Sequence, residues 1–388
     1  MNTKKALFSL AFILFLVGAS SAHAATTDSR YLVKSTSSFW KKTFQVRNVF
    51  DSGFTADLSD FQLKLAKVFG VEVTPVKKLN ILAAAPKKPA KVFIKTPFAQ
   101  IPWGVKALYG DTLDTGVPTG GKGVNVAVVD TGVLMTHPDL KNRVTLCDDF
   151  SSSSAFAKNS CDDKNGHGTQ VAGVIAADGG ADAKGIYGVA PEANLMIYKA
   201  CADDGTCFAD DVAAAVRHAV DNSANIILLS LGSDTQSSVL NDAIHYAKDH
   251  DVLVVGAAGN DGPYVGSIDY PASNANVVSV GAVDSSLTIA SWSARGSNTA
   301  STSYDKQDGD IELAAPGVNI ESTSNNSDYM TMSGTSMAAA HIAGLAAKEW
   351  QDSADHPAQA TRELLHKFAQ DIAPTGDDPA SGWGVPQL

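Results

Sequence analysis

The chain has 388 residues, enough for two or three domains, and its 44% apolar and 18% charged residues are those of an ordinary globular protein. The formal net charge of −11 argues against a nucleic-acid partner, which calls for a basic surface. That charge is uneven: residues 25–98 sum to +8 and residues 99–388 to −21, so the two parts are expected to associate.

The first 24 residues read as a cleaved export signal. Lys4 and Lys5 precede an apolar stretch from Ala6 to Gly18, and Ala22-His23-Ala24 supplies a small-x-small cleavage site. No later run of about 18 apolar residues follows, so no membrane partner is expected and the protein is read as secreted. Residues 31–82 form a small module. Arg30 starts a strand, and Leu58, Phe61, Leu65 and Val68 mark the apolar face of a helix that Gly70 stops. Ala83-Ala-Ala-Pro-Lys-Lys-Pro-Ala-Lys91 is a linker by composition.

From Gly123 the pattern changes to strand, loop and helix in repetition. Val124–Val129, Leu195–Lys199, Ile226–Ser230, Val252–Ala257 and Val277–Val283 are short runs apolar at nearly every position, as central parallel strands require. Helical stretches lie between them at Thr169–Ala177, Ala209–Val220 and Ser238–Asp249. The fold class is therefore α/β, three layers around a mainly parallel sheet, preceded by a small α+β domain. Active sites of such sheets lie at the carboxyl ends of the strands, where Asp130 and Ser230 fall. Four cysteines in an exported chain allow three pairings, and spacing favours Cys147–Cys161 with Cys201–Cys207.

Three residues stand in settings that suit catalysis. Asp130 ends an apolar run, His167 lies in Gly-His-Gly-Thr-Gln-Val-Ala-Gly, and Ser336 lies in Ser-Gly-Thr-Ser-Met-Ala-Ala-Ala-His. Serine needs a base to take its proton, histidine titrates in the useful range, and an aspartate can orient the imidazole. An esterase or lipase would show Gly-x-Ser-x-Gly and the order Ser…Asp…His, and neither occurs.

These segments resemble the subtilisin-like serine proteases over residues 99–388, and residues 25–98 resemble that family's inhibitory propeptide. The resemblance implies a secreted, monomeric endopeptidase acting on extended polypeptides, with its own propeptide as intramolecular inhibitor. It implies Ser336 as nucleophile, His167 as general base and acid, and Asp130 as its orienting partner. Asn260 and the Ser336 N–H would form the oxyanion hole. Ser230, Leu231 and Gly232 would make one substrate wall, Gly205 and Thr206 the other, and Ala257, Ala258 and Gly259 a wide apolar S1 pocket. The junction Thr96-Pro-Phe-Ala-Gln-Ile-Pro implies maturation between Phe98 and Ala99. Asp139, Asp182 and Gln100 match family ligands for a structural calcium ion. Asp162 and Asp163 raise the possibility of a cation preference near P2. Two departures are Gln170, where the family has a second histidine, and Ala340, where it has proline. Ala340 is expected to shift Ser336 slightly, slowing hydrolysis or easing aminolysis. His137 and His341 are expected to be structural.

Overall fold

A computed structural model describes residues 29–83, 93–113, 116–152, 156–299, 306–372 and 374–388. The expected export signal, and all of the expected linker but Ala83, lie outside these residues. The described chain divides into two compact units, one ending at Val76 and one beginning at Lys77.

The first unit is a four-stranded antiparallel sheet with two helices. Its strands are β1 (Arg30–Val33), β2 (Val46–Phe50), β3 (Gly53–Asp57) and β4 (Val73–Pro75), in the order β2-β3-β1-β4. Val33, Trp40, Phe44, Phe54 and Ala66 fill its core. The predicted helix runs Asp60–Val68, two residues later than Leu58, because Ser59 and Gln62 close a capping box at its start. That start changes the buried face. Ala66 is buried while Phe61 and Val68 are exposed.

The second unit opens with β5 (Lys78–Ile81) and β6 (Phe93–Ile94). Its main sheet contains β7 (Asn125–Asp130), β8 (Val144–Asp149), β9 (Ala157–Lys158), β10 (Asn194–Lys199), β12 (Ile226–Leu229), β14 (Leu253–Ala257), β15 (Val277–Val283) and β16 (Leu313–Pro316). The order is β16-β15-β14-β12-β7-β10-β8-β9, parallel throughout except for the β8–β9 pair. The central strands are buried at almost every position, which is why they read as unbroken apolar runs.

The helices His167–Ala176 and Thr335–Lys348 pack on each other, and the second also packs on the sheet. Both are rich in small residues, so their backbones approach closely. A Cβ on Gly344 would stand 3.4 Å from the Ile175 carbonyl oxygen of the other helix. The helix Pro357–Phe368 is tied down by a buried ion cluster. Arg362 donates to both Glu312 carboxylate oxygens at 2.7 Å, and His366 Nε2 lies 2.7 Å from Oε1. Disulfides join Cys147 to Cys161 and Cys201 to Cys207, the pairing that spacing favoured. Among the described residues no helix is long and apolar enough to cross a membrane.

Candidate active site

Asp130 is the last residue of β7, at the carboxyl edge of the sheet. His167 opens its helix behind Gly166, which takes the left-handed φ of 98°. Gly168 lets that helix close on β7, since a Cβ there would lie 2.1 Å from the Gly132 carbonyl oxygen. The result is a buried pair in which His167 Nδ1 stands 2.8 and 2.9 Å from the Asp130 carboxylate oxygens. With its proton held on Nδ1 by the carboxylate, the imidazole offers Nε2 as an acceptor. Nε2 is buried and has no hydrogen-bond partner among the described residues.

Asp163 organises this corner. Its carboxylate accepts from the N–H groups of Asn165, Gly166 and Thr169 and from the hydroxyls of Thr131 and Thr169, at 2.6–3.0 Å. It is a buried anchor for the start of the histidine helix, where a negative charge also meets the positive end of the helix dipole. Its carboxylate is thus fully engaged by donors of its own corner. Asp162 is exposed.

Ser336 is the second residue of the helix Thr335–Lys348. Its hydroxyl donates to the Ser230 carbonyl at 3.1 Å, and the Ser230 hydroxyl donates to the Ser336 carbonyl at 3.3 Å. The serine proton is therefore parked on a backbone oxygen rather than on His167 Nε2. Catalytic hydrogen bonds of this kind commonly form only in the productive complex. Asn260 is held from one side, where its Oδ1 accepts from Thr335 N at 3.0 Å and from Thr335 Oγ1 at 3.2 Å. This leaves Nδ2 to point into the cleft.

The cleft holds a strand of the chain itself. β5 lies between β11 (Thr206–Phe208) and β13 (Leu231–Gly232), antiparallel to both. Asn80 pairs with Thr206 on one side and Gly232 on the other. Ile81 N–H donates to the Gly205 carbonyl at 3.1 Å, and Leu82 N–H donates to the Ser230 carbonyl at 3.1 Å. Asn260 Nδ2 donates to the Leu82 carbonyl at 2.7 Å. The Leu82 side chain is buried and touches Gly232, whose added Cβ would lie 3.0 Å from Leu82 Cδ1. Gly205 needs its φ of 89° and its missing side chain, because a Cβ would meet Ile81 at 2.9 Å. Phe98 is elsewhere, 82% exposed, with its N–H donating to Glu321 Oε1 at 2.7 Å.

Asp139, Asp182 and Gln100 gather around the turn 178–186. Asp139 is buried, and its Oδ2 accepts from Ile186 N and the Tyr329 hydroxyl, both at 2.9 Å. The point a Cβ on Gly180 would occupy is 2.8 Å from Asp139 Oδ1 and 3.8 Å from Asp182 Oδ1. Gln100 Nε2 donates to the Ala183 carbonyl. His137 and His341 are packed as structural groups. His137 accepts from Asp139 N and faces the Asp328 carbonyl, and burial lowers its pKa. His341 Nδ1 lies 2.8 Å from the Met337 carbonyl, and burial pushes its pKa down to about 4. Gln170 is buried with Nε2 on the Ile320 carbonyl, away from His167 Nε2. Ala340 is buried in the middle of an unbroken helix.

The sequence profile of the Subtilase family matches residues 121–384. A subtilisin from Bacillus sp. (strain TA39) is 43% identical over 353 residues, covering 86% of this chain and 83% of that protein. An alkaline protease from Alkalihalobacillus alcalophilus is 37% identical over 282 residues, covering 72% of this chain and 68% of that one. Among solved structures, the S41 psychrophilic protease superposes with a TM-score of 0.71 at 43% identity, covering 76% of this chain and all of its own. Sphericase gives 0.71 at 44%, covering 75% and 99%.

Proposed function

The chain belongs to the subtilase family and is a subtilisin-type serine endopeptidase, and from that premise we propose how its residues divide the chemistry. The Ser336 hydroxyl rotates from the Ser230 carbonyl to His167 Nε2, the buried nitrogen left without a partner among the described residues. Ser336 Oγ attacks the scissile carbonyl carbon while Nε2 takes its proton. Asp130 keeps the ring oriented and stabilises the imidazolium. The oxyanion is held by Asn260 Nδ2 and the Ser336 N–H. Collapse expels the amine, which takes the proton back from Nε2 and leaves an acyl-enzyme. Water then attacks with the same histidine as base, releasing the acid and restoring the serine.

One observation carries this reading: the Leu82 carbonyl oxygen sits on Asn260 Nδ2 at 2.7 Å, in a strand gripped by both walls of the cleft. Backbone pairing of this kind accepts extended polypeptide of many sequences, because the grip is on main-chain atoms. It supports the segment ending at Leu82 as the inhibitory tail of a propeptide. It also supports Leu82–Ala83, rather than Phe98–Ala99, as the first bond cut during maturation. Phe98 is held away from the cleft by Glu321, while Phe93 and Ile94 pair with β18 (Tyr329–Met332). Export through the N-terminal leader places the mature enzyme outside the cell, where both disulfides persist.

A structural calcium ion fits the 178–186 turn in part. Asp139 Oδ1 and Asp182 Oδ1 face a common point, and hard carboxylate and carbonyl oxygens are what calcium takes. The Gln100 amide presents its nitrogen to Ala183, so it joins the ligand set only after turning over. The ion would brace that turn and takes no part in bond cleavage.

N-terminal sequencing of secreted protein over a time course tests the assignment, with Ser336→Ala as the arrested control. The first new terminus expected is Ala83, with none from the variant. Direct appearance of Ala99, with no earlier species beginning at Ala83, contradicts the proposed first cut. A variant that processes itself contradicts the nucleophile.

A further inference from the structure

We propose that Asp269 gives the S1 pocket an acidic floor that selects lysine or arginine as the P1 residue of substrates, an inference that rests on the endopeptidase reading above. The two glycines lining the pocket locate this floor. A Cβ on Gly259 would stand 2.8 Å from Asp269 Oδ2, and a Cβ on Gly232 would stand 3.0 Å from the same oxygen. That second point is also 3.0 Å from Leu82 Cδ1, so the P1 side chain now in the cleft and the carboxylate meet at one place. The floor is fixed by its backbone, since Asp269 N donates to the Ala258 carbonyl at 2.8 Å and Tyr270 exchanges two bonds with Ser233.

Asp269 as a residue is only 3% exposed and no described donor or cation meets its side chain, so what accessible surface its carboxylate oxygens keep is open to an incoming group. Among the described residues Asp234 and Asp261, both exposed, are its acidic neighbours, with a carboxylate oxygen of each of the three within 4.8 Å of the others. Burial, then Asp261 and Asp234, push the Asp269 carboxyl up to about 7. Leu82 Cδ1 and Asp269 Oδ2 each lie 3.0 Å from the same point beside Gly232, and leucine carries no group to meet the carboxylate. Lysine carries two heavy atoms beyond the equivalent carbon, ending in an ammonium that the three carboxylates would neutralise. Leucine at 82 then makes a poor P1 residue, which suits a tail that must remain bound as an inhibitor after it is cut.

The test uses mature wild-type and Asp269→Asn enzymes, with active sites counted by a phosphonyl fluoride. Chromogenic peptides differing only at P1, as Lys, Arg, Leu or Phe, supply the kcat/KM ratios. Wild type is expected to favour Lys and Arg over Leu, and Asp269→Asn to lower that ratio about 10–100-fold. The wild-type Lys:Leu ratio is also expected to rise as pH passes through 7, because the floor gains charge, and this slope is expected to vanish in the variant. A purely structural aspartate would lower all four substrates together at every pH. An unchanged ratio, or a Lys preference that persists in Asp269→Asn, overturns the proposal. So does a Ca²⁺ titration after chelation that abolishes cleavage at Lys, because a metal ion would then occupy the floor. Failure to titrate with the phosphonyl fluoride strikes the endopeptidase reading instead.

Discussion

Replacing Asn260 by leucine removes one donor from the proposed oxyanion hole while keeping side-chain width. The amide is well suited to its role. Nδ2 stands 2.7 Å from the Leu82 carbonyl oxygen, and Oδ1 is clamped by the N–H and hydroxyl of Thr335. The donor therefore needs no reorganisation when the carbonyl becomes an oxyanion. One of two donors is lost, and the bond matters most when full charge develops. The expected loss is about 10²–10³-fold in kcat, with KM changing by less than about threefold; this scale comes from removing the corresponding amide of a subtilisin. Losing Oδ1 also frees Thr335 N–H at a helix start, which is expected to lower stability by about 1 kcal/mol. Steady-state hydrolysis of a peptide anilide, with active-site titration and thermal melting of the same samples, separates these effects. A loss carried mainly by KM, or a kcat loss below about tenfold, would refute the reasoning.

Ala340→Pro would drive a ring against the Ser336 carbonyl, which already accepts from Ser230. The ratio of aminolysis to hydrolysis of an ester substrate is expected to fall a few-fold, and an unchanged ratio removes any role for Ala340 in placing Ser336. Chelation of the mature enzyme is expected to lower Tm by about 5–10 °C, and Asp139→Asn to abolish that difference; an equal drop in the variant contradicts Asp139 as a ligand. Stability is expected to decline as pH falls from about 6.5 towards 4. His341 stays neutral in the fold down to about 4, whereas the unfolded chain binds its proton from its ordinary value near 6.5, a difference of roughly 3 kcal/mol. Below about 4.5 Glu312 adds to the loss: burial raises its carboxyl, but Arg362 and His366 outweigh that and hold it ionised in the fold. Urea unfolding of Ser336→Ala, which cannot digest itself, at pH 7, 5.5 and 4 checks both; a flat profile contradicts them.

The legible parts of the sequence were those whose causes are local. β7, β10, β12, β14 and β15 read directly because strands buried on both faces leave unbroken apolar runs. Asp130, His167 and Ser336 stood out because of their settings, the end of an apolar run for the first and glycines and small residues for the other two, while Asn260 was named only through the resemblance to the subtilisin-like proteases. Groups joined across long stretches were hidden. Asp163 looked like one member of a surface acid pair, and only the fold shows it holding Thr131 and Thr169 together. β5 lay, not singled out, at the end of the 31–82 module, just before the linker, with nothing local to say that it pairs with β11 and β13. The junction at Phe98 was read from its resemblance to the family's maturation site, whereas nothing local marks Leu82, which lies in the cleft through the register of β5. Asp269 sat in an unremarked loop, Ser267-Ile-Asp-Tyr-Pro, and becomes a pocket floor only when Gly232 and Gly259 close on it.

The central claim is that Ser336 is the nucleophile activated by His167. Mature protein treated with a phosphonyl fluoride at pH 8, digested and sequenced by mass spectrometry, addresses it directly. One equivalent of adduct is expected on Ser336, with parallel loss of peptidase activity and no adduct over the same interval in His167→Ala that has been matured in trans by wild-type enzyme. Label on another residue, or full activity in protein modified at Ser336, would contradict the account.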